Sequence, residues 1–333
     1  MGKTIGDVAR RSGVSASTVS AVINNNYARI RVSAKTRQKV LAAARRLDYR
    51  PSFSARALAR GKTFSLGLVC GDIHTPFFSE LASIALEESE ARGYHLLTAV
   101  TRWDPQKELA CVDTLLERKV DGFLMGPASL QPGTRQYDYI MKNRIPVVGL
   151  LPPVPGFPHV TSDWREGMEE AVRHLTGKGY DRIGFIDLPG IYPVEPHRAC
   201  KRSVFLETIG RVGAVSCEYN CVIDLHNNRE IGRNLADLPD RPRAFIVGSD
   251  YMAMGLVRGF RDGGLDVPRD VAVVGMDGTA MGEFFHPPLT TIAQDIRQLV
   301  GRALELLVTM IEEKTLTDQE MWVPTRLIVR DSA

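Results

Sequence analysis

From residue 65 to residue 277 the chain repeats one unit, a short apolar run followed by an amphipathic helical stretch, and this alternation limits its fold more than any other feature. The apolar runs fall at 66–70, 95–100, 122–125, 147–151, 183–187, 221–225, 244–248 and 271–276. Helical periodicity occupies about 77–92, 105–118, 165–177, 229–236 and 250–263. A strand that returns through a helix pairs in parallel with its neighbour, and such crossovers are right-handed. The alternation therefore predicts an α/β body of parallel sheets. Eight runs divide into two sets, with a break near Thr161-Ser162-Asp163. Open parallel sheets bind ligands beyond the carboxyl ends of their strands, so two sets facing each other predict a cleft between two lobes.

The residues that follow the runs are the candidates for lining that cleft. The first run leads into Thr75 and Phe77, the break into Asp163 and Trp164, the run at 244–248 into Ser249 and Asp250, and the last run into Asp277. Carboxylates beside aromatic rings suit polyhydroxy ligands, because hydroxyl pairs need bidentate acceptors and sugar faces need stacking surfaces. Each acid has an alternative as a helix N-cap, Asp250 above all. Their recurrence at successive strand ends points to a pocket.

Ahead of the body lies a segment of opposite charge. Residues 1–62 hold 14 Lys and Arg against two acids, Asp7 and Asp48, a net of +12; the other 28 bases and 37 acids leave the rest at −9. A basic head on an acidic body implies a polyanionic partner, with a merely solvated charged face as the alternative. Thr4 is placed to N-cap a first helix, with Asp7 in its first turn and Ser12-Gly13-Val14 ending it. Ser15 caps a second helix from Ala16 to about Asn24, buried through Val19, Val22 and Ile23. Ser33 caps a third that runs to about Leu47. Two short helices joined by a glycine-containing turn form a helix-turn-helix, whose second helix enters the major groove. Its leading residues are Ala16, Ser17, Thr18 and Ser20, with Ala21 one turn along. These offer methyl contacts and single hydroxyl hydrogen bonds but no arginine–guanine fork. Thr18 and Ser20 have capping or packing as their alternative role. Arg29, Arg31, Lys35, Thr36 and Arg37 are candidates for phosphate contacts.

Residues 51–63 open with Pro51, continue through helix-favouring Ala, Leu and Arg, and close at Gly61. About nine residues are too few for a stable isolated helix, which fits one that forms on DNA or within a dimer. Leu58, flanked by Arg56 and Arg60, is shaped to wedge between base steps in the minor groove. A linker with an incidental leucine is the other reading.

Residues 4–24 (TIGDVARRSGVSASTVSAVIN), 33–51 (SAKTRQKVLAAARRLDYRP) and 55–63 (ARALARGKT) resemble the lactose/galactose repressor family, and the order of later segments extends the resemblance over nearly the whole chain. The resemblance implies a helix-turn-helix head over 1–50, a hinge over 51–63 and a two-lobed, periplasmic-binding-protein-like effector and dimerisation domain over 64–333. Lobe one would comprise about 64–161 and 294–321, and lobe two about 162–293 and 322–333. It further implies a transcriptional repressor that binds a pseudo-palindromic operator as a dimer under control of a small effector; the acids and aromatics favour a sugar or sugar derivative, with purines and sugar phosphates as alternatives. Thr4, Ser15, Ala16, Ser17, Ala55, Arg56 and Leu58 then fall at DNA-contact positions, with Ala16 and Ser17 setting specificity and Leu58 prying open the central operator step. Asp163, Ser249 and Asp277 fall at effector-contact positions, and Lys201, beside Arg198 and Arg202, stands where the family usually has an arginine. Three departures from the pattern stand out. Ala21 replaces a frequent base-contacting arginine, Ser249 replaces a frequent asparagine, and the loop 24–32 is longer and more basic. No heptad-patterned helix follows 326–331, which favours a dimer over a tail-mediated tetramer.

Other classes fit poorly. There is no Walker loop, no GxSxG elbow and no HExxH, so catalysis is not expected. The five cysteines lack paired CxxC spacing; Cys217 and Cys221 lack a second metal half-site, so neither a metal nor another cofactor is expected. No apolar run approaches the ~20 residues of a membrane span, and no secretory h-region follows the N-terminus, so a cytoplasmic protein is expected rather than an exported solute binder.

Overall fold

The computed structural model describes residues 3–24, 31–49, 61–126, 129–150, 154–188 and 200–333. Contacts divide the chain into two compact units, Met1–Phe64 and Ser65–Ala333.

The first unit is built from its caps. Helix α1 (Ile5–Ser12) starts with a reciprocal capping box, in which Asp7 N donates to the Thr4 hydroxyl and Thr4 N donates to the Asp7 carboxylate at 2.8 Å. Those bonds and the adjacent Arg10 guanidinium hold Asp7 down at about 2. The helix ends on Gly13 at φ +64°, a left-handed residue that costs glycine nothing. Helix α2 (Ala16–Ile23) is capped by Ser15 and α3 (Ala34–Arg46) by Ser33. Val8, Val19, Val22, Val40, Ala43 and Ala44 close a small core among the three.

The second unit contains two six-stranded sheets. Its strands are β1 (Ser65–Cys70), β2 (His95–Val100), β3 (Gly122–Met125), β4 (Val147–Leu150), β5 (His159–Asp163), β6 (Arg182–Asp187), β7 (Val215–Asn220), β8 (Ala244–Val247), β9 (Ala272–Asp277), β10 (Thr290–Ala293), β11 (Glu320–Pro324) and β12 (Arg326–Ile328). The helices are α4 (Pro76–Ala91), α5 (Pro105–Glu117), α6 (Arg135–Asn143), α7 (Arg165–Gly177), α8 (Lys201–Val212), α9 (Leu225–Ala236), α10 (Asp250–Asp262), α11 (Ala280–Phe284) and α12 (Ile296–Glu313). Lobe one orders its strands β11-β5-β4-β3-β1-β2, and lobe two β12-β10-β9-β8-β6-β7. Pairing is parallel except between β10 and β12.

The chain passes between sheets after β5, after β10 and after β11. The first passage falls at Trp164 rather than within 161–163, because β5 stays in lobe one through Asp163. The last falls at Thr325 rather than at the expected lobe boundary near 321–322, since β11 pairs with β5 as far as Pro324. The passages are stitched together. Thr325 donates through its hydroxyl (2.9 Å) and its N–H (3.2 Å) to the Asp163 carbonyl, and Ser162 Oγ donates to Gln294 Oε1 at 2.6 Å.

One expected strand is displaced. Residues 221–225 form a turn in which Asp224 caps α9, so that helix starts at Leu225 rather than near 229. The strand is Val215–Asn220, an edge strand with no fully buried residue and hence no apolar run. Cys221 and Ile223 are apolar because the turn packs against the core of lobe two. Helices α6 and α12 were not anticipated either, although α12 buries Leu299, Val300, Ala303, Leu304 and Leu307 in lobe one.

Helices α9 and α10 cross at a glycine contact. A Cβ on Gly259 would collide with the Arg229 carbonyl and sit 2.8 Å from Gly232 Cα. Backbone cannot rotate aside as a side chain can, so Gly259→Ala is expected to destabilise the protein by about 3 kcal/mol in urea denaturation. Gly301→Ala, in α12 with nothing within 4 Å, is expected to stabilise by about 0.5–1 kcal/mol.

Candidate functional site

The carboxyl ends of β6, β8 and β9 bring Asp187, Gly248 and Asp277 side by side, and α8 brings Lys201 to them. Lys201 Nζ donates to the Gly248 carbonyl at 2.5 Å and lies 4.8 Å above the Trp164 ring. Gly248 has no side chain because the Asp187 carboxyl fills that space, where any Cβ would collide with it. Asp277 is buried and adopts φ +126°, a backbone region that L residues rarely occupy and that is found most often at functional sites. Its Oδ1 accepts from Gln294 Nε2 at 3.0 Å, and Gln294 continues to Ser162 in lobe one. The site carboxyl is thus linked to the passage between lobes through a single side chain.

Charge is unbalanced here. Burial pushes Asp277 up to about 8; Lys201 opposes this, while Asp250 and Asp187 push it further up. Burial raises Asp187 too, again opposed by Lys201. Among the described residues, the Lys201 ammonium thus faces two carboxyls that burial pushes toward their protonated forms. Such a wall can both accept hydrogen bonds from hydroxyls and donate to them.

Two expected ligand contacts in lobe two have other roles. Asp250 is fully buried, and its carboxylate accepts from Thr291 Oγ1 (2.6 Å), Thr279 N (2.7 Å) and Thr279 Oγ1 (2.9 Å). With those acceptor positions filled it clamps β10 and the loop before α11, and it is not available to an effector. Ser249 N-caps α10, its hydroxyl accepting from Met252 N at 3.1 Å. Asp163 forks with its neighbour Arg165 (Nε 2.9 Å, Nη2 2.5 Å), which turns its carboxylate toward that guanidinium. Trp164 is buried beneath Lys201. Of the three cations considered for the family arginine position, Lys201 lies beside Gly248 and Trp164. Arg202 pairs with Glu218, and Arg198 lies outside the described residues.

Lobe one offers donors. Thr75 sits at the N-cap position of α4 but does not cap it, and its buried hydroxyl has no hydrogen-bond partner among the described residues. Phe77 is buried edge-on to Phe78 (5.1 Å between centroids), and Phe78 meets Trp103 at 5.2 Å. Trp103 lies against Gly71, where a Cβ would be 2.5 Å from the indole, and its buried Nε1 has no hydrogen-bond partner among the described residues. Buried polar atoms without partners are uncommon in folded proteins and mark places where a ligand or water belongs. Asp187, Gln294 and Trp103 were not among the expected residues. Asp187 ends a recognisable strand and could have been found; Gln294 and Trp103 carry no local signal.

In the head, Ser15, Ala16 and Ser17 at the start of α2 are exposed. The Ser15 hydroxyl lies 2.8 Å from both the Ser17 and Thr18 hydroxyls, so the three form one capping network. Ser20 accepts from Asn24 Nδ2 at 3.1 Å. Ala21 is only 6% exposed, so, against expectation, little of its methyl is open to a base. Thr4, Arg31, Lys35 and Arg37 are exposed, and Thr36 shares a 3.0 Å hydroxyl contact with Ser33. Arg29, Ala55, Arg56 and Leu58 lie outside the described residues. Among the described residues no helix is long and apolar enough to cross a membrane, and no group of three metal-binding side chains occurs.

A helix-turn-helix head joined to a hinged two-lobed body defines the class as ligand-responsive DNA-binding proteins. The signature of bacterial regulatory proteins of the lacI family matches residues 4–52, and that of a periplasmic binding protein-like domain matches 172–333. The chain is 32% identical over 338 residues to the HTH-type transcriptional regulator DegA of Bacillus subtilis (strain 168), covering 100% of this chain and 98% of that one. It superposes on the lac repressor dimer bound to operator and the anti-inducer ONPF with a TM-score of 0.86, at 24% identity over 100% of this chain and 99% of the other. It also matches a transcriptional regulator CelR–cellobiose complex with a TM-score of 0.71, at 26% identity over 99% and 100% of the two chains. The chain belongs to the lacI family: it is a DNA-binding transcriptional regulator controlled by an effector, not an enzyme.

Proposed function

We propose that this regulator works in the cytoplasm as a repressor that binds a pseudo-palindromic operator as a dimer, and that its effector is a neutral, hydroxyl-rich molecule of the sugar class. The observation that carries the effector reading is the cluster of Asp277, Asp187 and Lys201 beside Trp164 at the strand ends of lobe two. Proton-holding carboxyls both accept from and donate to hydroxyl pairs, as the hydroxyl-rich face of a sugar requires. The buried donors of Thr75 and Trp103 in lobe one suit acceptor oxygens of the same ligand class. The CelR–cellobiose complex supports the same class.

Control follows from the link between site and hinge. An effector that takes the Asp277 carboxyl competes with Gln294, which also holds Ser162 of lobe one. The equilibrium between lobe orientations then shifts by the effector's differential affinity, typically about 1–3 kcal/mol of coupling to DNA binding. A thermal-shift panel of neutral sugars and their phosphates tests the class. Stabilisation by neutral sugars is the expected result, and stabilisation by phosphates alone would overturn the reading.

Selection of random duplexes by the full-length protein is expected to enrich an inverted repeat around a deformable central step. Enrichment of no motif in the presence of metabolite mixtures would count against an operator reader. On the enriched duplex, Leu58→Ala is expected to weaken binding by about 10- to 100-fold (about 1.4–2.8 kcal/mol) and to leave random duplex unaffected. Equal losses on both DNAs would refute the wedge role. Binding should also fall steeply with salt as phosphate counterions are released.

A further inference from the structure

Although the body is acidic overall, one cavity in lobe two is lined mainly by cations. It forms where two loops enter the sheet: Lys178-Gly179-Tyr180-Asp181 leads from α7 into β6, and Arg241-Pro242-Arg243 leads into β8. β6 and β8 are parallel neighbours, with Ile183 beside Ala244, so the loops open side by side at the amino ends of their strands. The effector residues stand at the carboxyl ends, roughly 20 Å away along a six-residue strand. The cavity is about 340 Å³, within the usual range of small-molecule sites, and its wall holds Lys178, Arg182, Arg241 and Arg243 against the single acid Asp181.

The hydrogen bonding of these cations is incomplete. Arg182 is held at 2.6 Å by Asp240, whose carboxylate is 90% exposed. Arg243 reaches the carbonyls of Asp270 and Arg269 only at 3.4 Å. Arg241 Nη1 donates to the Leu238 carbonyl at 3.3 Å, but its buried Nε has no acceptor among the described residues. The end of α7 does not supply one, because the Leu175 and Thr176 carbonyls already accept from Lys178, Gly179 and Tyr180 N–H groups. A buried donor without a partner, in a cavity lined by three further cations, is matched to an anion.

The geometry points to a second ligand site in this cavity, specific for a phosphate group, either free or as a small monoester. Planar guanidinium forks and a lysine point charge match the several acceptor oxygens and the double charge of phosphate, which a hydroxyl-only ligand cannot offer. The site is separate from the effector cleft and does not depend on the effector's identity.

The test is calorimetric titration of the full-length protein with inorganic phosphate and with glycerol phosphate, at ionic strength fixed with sodium chloride. Saturable binding is expected, weakened at least tenfold by Lys178→Gln combined with Arg243→Gln. Both side chains are exposed, so the fold should tolerate the exchange. Binding should persist in Asp277→Asn, which separates this site from the cleft. Tighter binding of inorganic phosphate would identify the free anion as the natural occupant, and tighter binding of glycerol phosphate an ester. The absence of saturable binding, or equal affinity in wild type and the double variant, would overturn the assignment.

Discussion

Asp277→Asn is expected to abolish the effector response while leaving operator affinity within about twofold. Asn keeps the volume and an acceptor for Gln294 but can no longer present a carboxyl to a ligand hydroxyl pair. Losing a buried hydrogen bond to such a group costs about 1.5–3 kcal/mol, or roughly 10- to 150-fold in effector affinity. Effector titration against a labelled operator duplex reads both quantities. An unchanged effector midpoint would remove Asp277 from the site, and loss of operator binding as well would indicate misfolding.

The same substitution should also change how stability depends on pH. Asp277 is pushed up to about 8 in the folded protein, from an ordinary value of 3.8. Between those values the folded state holds a proton that the unfolded state has lost, so the stability of the ligand-free protein falls as pH rises through the window. Over pH 6 to 8 the contribution of this one group is about 2 kcal/mol, at about 1.4 kcal/mol for each pH unit. Denaturation midpoints of wild type should therefore drop across that range more than those of Asp277→Asn. Asp250, pushed up to about 6, has largely ionised by its upper half, and it remains in both proteins. Parallel midpoints for the two proteins would contradict the assignment of the titration to Asp277.

Asp250→Ala is expected to behave differently, lowering the stability of the protein by about 3–5 kcal/mol and impairing DNA and effector binding together. The carboxylate is the common acceptor for Thr291 Oγ1, Thr279 N and Thr279 Oγ1. Its removal leaves three donors buried without partners, each costing about 1–3 kcal/mol, partly offset because a desolvated carboxylate is removed too. Asp250→Asn retains an acceptor oxygen and should lose less. Urea denaturation followed by far-UV circular dichroism measures the difference. If Asp250→Ala folded with wild-type stability and lost only the effector response, Asp250 would be a ligand contact after all.

The contrast between these two aspartates marks where local information ends. The caps Thr4, Ser15 and Ser33, the turn at Gly13, and the strand runs that became β1, β2, β3, β6, β8 and β9 were legible in the sequence. Each is set by residues within one turn or one pleat, where propensity and burial periodicity act. The placement of Asp277 at a strand end was legible for the same reason. The edge strand β7 was not, because one solvated face leaves no apolar run, and the apolar turn after it imitated one. Nor did anything local tell Asp250 from Asp277. Asp250 is occupied by Thr279 and Thr291, which lie 29 and 41 residues away, and Gln294 reaches Asp277 across 17. Hydrogen bonds of that span depend on how strands stack into a sheet and where the chain crosses between lobes. The sequence by itself therefore determined the elements, the head and the acidic strand ends. Tertiary packing decided that Asp250 is saturated from within and that Asp277 is held at an unfavourable backbone angle near Lys201, the arrangement on which the proposed effector role rests.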